Sequence, residues 1–215
     1  SSWVFTEGVV VFCFDDFSSY GVLQSTVHDL WLTKYSSTMK LDVRYVPLSC
    51  FRPFPFPPDW RASRTLGCVG RECYEFRENL IITTKMGLTA TYNRFHDPEE
   101  TSSEIQQLRE LHEAMDRAVL EAYGWDDLAQ SARCEFLLDY EEENDEDSAK
   151  KSRKKKPWRL RWPDDFRDEV LARLLALNAE RAEQERLQGP PQKKAARPKT
   201  RKAATEDHPE FDFSE

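Results

Sequence analysis

A chain of 215 residues and 25.2 kDa has room for one fair-sized domain, or for a small domain with appendages. Charged residues make up 33% against 39% hydrophobic, and mean hydropathy is -0.73, a balance too polar for every residue to pack into one globule. The net charge of -8 argues against indiscriminate attraction to nucleic acid, but it is segregated: -2 over residues 1–100, -12 over 101–148, +11 over 149–202 and -5 over 203–215.

The five cysteines are odd in number and contain no CxxC, which disfavours a disulfide framework and a zinc knuckle and fits a reducing cytoplasm. No apolar run approaches the ~18 residues of a membrane span, and there is no signal peptide. The chain enters strand-like sequence directly from Ser1 and reads as a piece of a longer polypeptide.

In chain order, the β-branched and aromatic stretch from Trp3 to Phe14 predicts one or two short strands. Asp15 or Asp16 can then cap a helix of about five turns, with Tyr20, Leu23, Val27, Leu30 and Trp31 on its buried stripe. A strand through Arg44 and Tyr45 stalls on Pro53, Pro55, Pro57 and Pro58, which cannot donate to a ladder. Phe51, Phe54 and Phe56 anchor the irregular path that follows. A helix is predicted over 71–86 with Gly87 as its left-handed cap. Another opens at Thr101 and Glu104 in capping-box spacing, buries Ile105, Leu108, Leu111, Met115, Ala118, Val119 and Ala122, and stops at Gly124.

Next come a short apolar stretch, an acidic block and a basic run, read as a charged flexible insertion near 141–156. Pro163, Asp164 and Asp165 suit the first turn of a last helix with Phe166, Val170, Leu171, Leu174, Leu175 and Leu177 on its apolar face. Residues 188–215 lack periodicity and read as a disordered tail. The expected fold class is α+β: a strand-containing region over 1–90, a helical segment over 91–187, then the tail.

Support for catalysis is weak. The seven glycines form no GxGxxG or GxxxxGK[ST], and the four histidines form no metal-binding pair, with His28 and His112 reading as boundary residues of their helices. No GxSxG elbow is present, and the carboxylates of "WPDDFRDE" are ordinary first-turn residues. Nucleic-acid contact is better supplied. Arg44 and Tyr45, and then Lys85, Tyr92, Asn93, Arg94 and His96, bring cations, an amide and rings together beside turn formers. The stretch "TYNRFHDPEE", Thr91 to Glu100, also admits a structural reading in which Tyr92 and Phe95 anchor a connector and Arg94 and His96 pair with Asp97 or Glu99. The basic runs at 150–156 and 193–202 either attract phosphate or are neutralised by the acidic blocks.

The segments "FSSYGVLQSTVHDLWLTKYSS", "RYVPLSCFRPFPFP", "GLTATYNRFHDPEE" with the helix after it, and "KPWRLRWPDDFRDEVLARLLALNAER" resemble the C-terminal region of large bacterial adenine-specific DNA methyltransferases. These are the type IIG, Eco57I-like and MmeI-like enzymes, including DISARM-type phage-defence methylases. The resemblance spans roughly residues 3–187. It implies a target-recognition and scaffold region of a restriction-modification or phage-defence enzyme that binds double-stranded DNA and packs against a catalytic domain or partner subunits, with no membrane association. S-adenosylmethionine and the Asn-Pro-Pro-Tyr box that holds a flipped adenine belong to that catalytic domain. This chain has no such box, since "FPPDW" at Phe56 to Trp60 lacks the amide before the prolines. No cofactor or catalytic residue is therefore expected within it, and the DNA contacts are expected at Arg44, Tyr45, Asn93 and Arg94. The alternative is a protein-interaction module without direct DNA contact.

Overall fold

The computed structural model describes residues 10–39, 42–138 and 158–188. The fold is α+β, mostly helical. Its helices are α1 (Phe17–Gln24), α2 (Thr26–Tyr35), α3 (Arg64–Thr84), α4 (Leu88–Phe95), α5 (Ser103–Ala122), α6 (Asp126–Ser131) and α7 (Asp164–Gln188). Two antiparallel two-stranded sheets accompany them, β1 (Ser37–Met39) with β2 (Asp42–Arg44) and β3 (Glu135–Leu138) with β4 (Trp158–Arg161). The expected strand-containing first region holds β1 and β2 among its helices, and Val10–Asp15 form no strand. Residues 1–9, the insertion within 139–157 and the tail from 189 lie outside the described residues.

The single helix expected from Asp16 to Tyr35 is two. Ser25 takes an extended conformation (φ -72°, ψ 155°), and its Oγ caps α2 by accepting from the His28 N–H. Asp116, on α5, accepts from both the Thr26 N–H at 2.7 Å and Thr26 Oγ1 at 2.6 Å. The break joins the local Ser25 cap to a carboxylate 90 residues away, a partner that local periodicity does not reveal.

Helix α3 runs longer than expected and ends at Lys85, not Gly87: Lys85 itself is left-handed (φ 55°), while Gly87 caps the start of α4. Helix α5 starts after Ser102 rather than in a Thr101 capping box. It ends as expected at Gly124 (φ 75°), where the Trp125 N–H reaches Leu120 O at 3.0 Å and the Gly124 N–H reaches Glu121 O at 2.8 Å. Those two bonds form a Schellman motif.

Helices α1 and α3 cross at backbone contact. A Cβ on Gly70 would lie 2.2 Å from Phe17 O, and one on Gly21 would lie 3.3 Å from Leu66 O. The main core joins Val22, Trp31, Leu66, Val119, Trp162 and Leu174, so the 1–90 and 91–187 segments share one interior. A smaller cluster of Leu80, Phe95, Ile105 and Leu108 sits under α4. Phe54 is buried among the anchoring rings, against Trp31 and Phe56. Arg173 ties α7 to α6 by gripping both oxygens of Asp127 at 2.9 and 2.6 Å. No helix among the described residues is long and apolar enough to cross a membrane.

Candidate functional site

The stretch Thr91–Glu100 is the second half of α4 and the turn after it, and it is held from behind by one side chain. Arg109 on α5, only 8% exposed, donates from Nε to Phe95 O at 2.9 Å and from Nη1 to Glu100 O at 3.0 Å. Its Nη2 donates to Asp97 O at 2.8 Å and Arg94 O at 3.2 Å. One guanidinium reaches four carbonyls, of which Arg94 O and Asp97 O also accept the backbone N–H groups of Asp97 and Glu100, and it lies over the Phe136 ring at 5.0 Å.

The side chains expected to contact DNA divide into two sets. Lys85 and Asn93 are exposed. Tyr92, Arg94 and His96 are partly buried and have internal partners: Tyr92 Oη pairs with His112 Nε2 at 2.9 Å, and His96 Nδ1 accepts the Leu160 N–H at 3.1 Å. Arg94 donates to Glu100 at 2.7 Å and to Ser102 Oγ at 2.9 Å, and its remaining nitrogen lies 3.8 Å from Met86 Sδ. The partner of Arg94 is therefore Glu100, and neither Asp97 nor Glu99. This pairing and the Ser102 N–H hold the Glu100 carboxyl down at about 2. Tyr45 lies elsewhere, its Oη 3.1 Å from His28 Nε2. Arg44 belongs to β2 and its side chain lies outside the described residues.

Two polar positions on α5 were not anticipated from sequence. Ile105, Arg109, His112 and Asp116 recur at spacings of four, three and four, so polar groups occupy core-facing positions. Asp116 is 2% exposed, and burial raises its carboxyl to about 7 despite the Thr26 hydrogen bonds, with Asp29 and Glu113 adding to the rise. His112 is a half-buried boundary residue as expected, whereas His28 is buried. His28 is 3% exposed, and burial lowers both imidazoles to about 4, Arg77 and His96 contributing at His112.

Two open cavities flank these groups. One, of about 300 Å³, runs beneath the turn against Phe136 and Leu160 and is lined by Glu100, Glu110 and Glu113. Its carboxylates disfavour phosphate. The other, of about 360 Å³, is bounded by Phe12, Phe14, Tyr20 and Tyr45 with His28 and Gln24 on its wall. No group of three or more His, Cys, Asp or Glu among the described residues is arranged to hold a metal ion.

Comparison with protein-family models, with curated proteins and with solved structures finds no match for this chain.

Proposed function

We propose that the chain is a recognition and scaffold segment of an adenine-specific DNA methyltransferase, of the restriction-modification or phage-defence kind, whose catalytic domain and S-adenosylmethionine site lie outside these residues. The observation that carries the reading is the Arg109 clamp. The stretch Arg94–Glu100 is fixed through its own carbonyls, with Asn93 exposed beside it on α4 and Lys85 exposed at the end of α3. An amide and a cation held this way suit duplex contact, the amide for a base edge and the cation for a phosphate. Tyr92, Arg94 and His96 act in this reading as positioning groups behind that surface.

A second reading, docking onto a partner subunit without DNA contact, is favoured by Leu138 and Trp158. They are directly paired across β3 and β4, and each is 43% exposed. Fluorescence anisotropy of a labelled duplex titrated with the chain at several salt concentrations separates the two. Affinity that falls steeply with salt supports DNA contact. Absence of binding at low salt, with capture of the separately produced catalytic domain, supports docking.

A further inference from the structure

The 360 Å³ cavity takes no part in the reading above and does not depend on it. It lies between the segment Val10–Asp15, helix α1 and the first turns of α2. We propose that it binds a flat, uncharged heteroaromatic ring of nucleobase size with both hydrogen-bond donors and acceptors on its edge.

Size and walls set the shape of the ligand. The volume is near the bottom of the range of about 300–1,000 Å³ typical of small-molecule sites, enough for one ring system rather than a whole nucleotide. The walls are mostly rings: Phe12 and Phe14 lie nearly parallel, 10° apart at 6.3 Å, and Phe12 meets Tyr45 edge-on at 5.6 Å. Such faces and edges favour an aromatic guest over an aliphatic one.

The polar groups set its edge. His28 is 3% exposed, its Nε2 is tied to Tyr45 Oη, and its Nδ1 has no partner among the described residues. A buried nitrogen left unpaired is costly, so His28 carries unmet hydrogen-bonding capacity next to the cavity. Gln24 uses its Oε1 to accept from Arg77 at 2.9 Å, which leaves its amide N–H groups to donate. Among the described residues Tyr20 Oη has no hydrogen-bond partner beyond the weakly polar Cys73 thiol, and Arg77 lies over its ring at 5.4 Å.

Charge disfavours the other ligand classes. No Lys or Arg is among the described residues that line the cavity, and the Arg77 guanidinium beside it is engaged by Gln24 Oε1 at 2.9 Å and by the Tyr20 ring at 5.4 Å. The one carboxylate among those lining residues, Asp16, is spent on Ser19, accepting from its N–H and its Oγ, each at 2.7 Å. His28 is uncharged at neutral pH, because burial lowers it to about 4. These groups favour an uncharged guest over an ionic one.

The test follows the His28 ring nitrogens by NMR while the 215-residue chain is titrated with adenine, with indole (one donor, no acceptor), and with a single-stranded deoxyadenosine hexamer and its abasic counterpart. Saturable shifts of Nδ1 with adenine, at least tenfold weaker for indole, are expected. So are loss of binding in Leu23→Trp, which fills the cavity, and several-fold weakening in Gln24→Ala. Should Leu23→Trp fail to fold, Gln24→Ala decides alone, since Gln24 is exposed. Binding of adenine identifies a free ring as a guest. Binding of the hexamer, but of neither adenine nor the abasic strand, identifies an unpaired base of a strand. No saturable shift with adenine or hexamer, indole binding as tightly as adenine, or unchanged affinity in a folded Leu23→Trp or in Gln24→Ala would overturn the proposal.

Discussion

Arg109 Nε donates to the carbonyl oxygen of Phe95 at 2.9 Å, placing a buried cation at the C-terminal end of α4. The charge sits where the helix dipole is negative. The same guanidinium fastens Arg94, Asp97 and Glu100 through their carbonyls. One side chain thereby converts a polar, aromatic-rich connector into a fixed surface.

Replacing Arg109 should therefore be costly whatever the replacement's charge. Arg109→Met takes the guanidinium from four carbonyls, of which Arg94 O and Asp97 O keep a backbone N–H partner, and Arg109→Lys cannot span them with one ammonium. We expect each to lower unfolding free energy by about 2–4 kcal/mol in urea titrations. Amide exchange over residues 94–100 should accelerate in both.

Gly70→Ala reverses the usual helix rule. At an open position the change would stabilise by up to about 1 kcal/mol. Here the new methyl would meet Phe17 O at 2.2 Å, and backbone cannot yield as a side-chain tip can. The crossing of α1 and α3 must open, and a loss of about 2–3 kcal/mol is expected from thermal melts, whereas Gly87→Ala, with open space around it, should change little.

The pH dependence of stability combines opposed contributions. Asp116 has its folded-state value raised from 3.8 to about 7, so the folded chain holds a proton that the unfolded chain has released. Its contribution therefore declines as pH rises from about 4 to 7. His28 and His112 are lowered from 6.5 to about 4, and their contribution is present above 6.5 and lost as pH falls toward 4. Asp116→Asn, which can still accept from the Thr26 N–H, removes only the first component. Wild type should lose ground to this variant as pH goes from 4 to 7, at a slope of at most roughly 1.4 kcal/mol for each tenfold fall in proton concentration. Parallel pH profiles for the two proteins would refute the assignment.

Lys85 spends backbone energy on a left-handed conformation that glycine adopts freely. Lys85→Gly should raise stability by about 0.5–1 kcal/mol in the same urea titrations while weakening duplex binding. A gain in stability without loss of binding would remove Lys85 from the proposed DNA surface.

Sequence periodicity recovered the elements whose determinants are local. The stripe from Ile105 to Ala122, the glycine stop at Gly124 and the first turn of α7 are each written within a few neighbouring residues. Features set by distant partners were not legible. The break at Ser25 has Asp116 as its distant partner, and the left-handed Lys85 leaves Gly87 to a different task. The pairing of Phe136 with Leu160 bridges the charged segment between β3 and β4. At the candidate site, side-chain types suggested contact for Tyr92, Arg94 and His96. Their partners, His112, Glu100 with Ser102, and the Leu160 N–H, could be found only once the chain was folded. Arg109 and Asp116 did leave a trace, as polar residues at core spacing on α5.

The central claim is that Asn93 on the clamped α4 segment and Lys85 at the end of α3 are presented to duplex DNA. The most direct measurement compares duplex affinity at low salt for the wild-type chain and for the Lys85→Ala/Asn93→Ala double variant, with circular dichroism melts of both. A drop of at least roughly tenfold in affinity with the melts unchanged, and a shallower salt dependence in the variant, is the predicted result. Equal affinity for the two proteins, or no duplex binding by either, would contradict it.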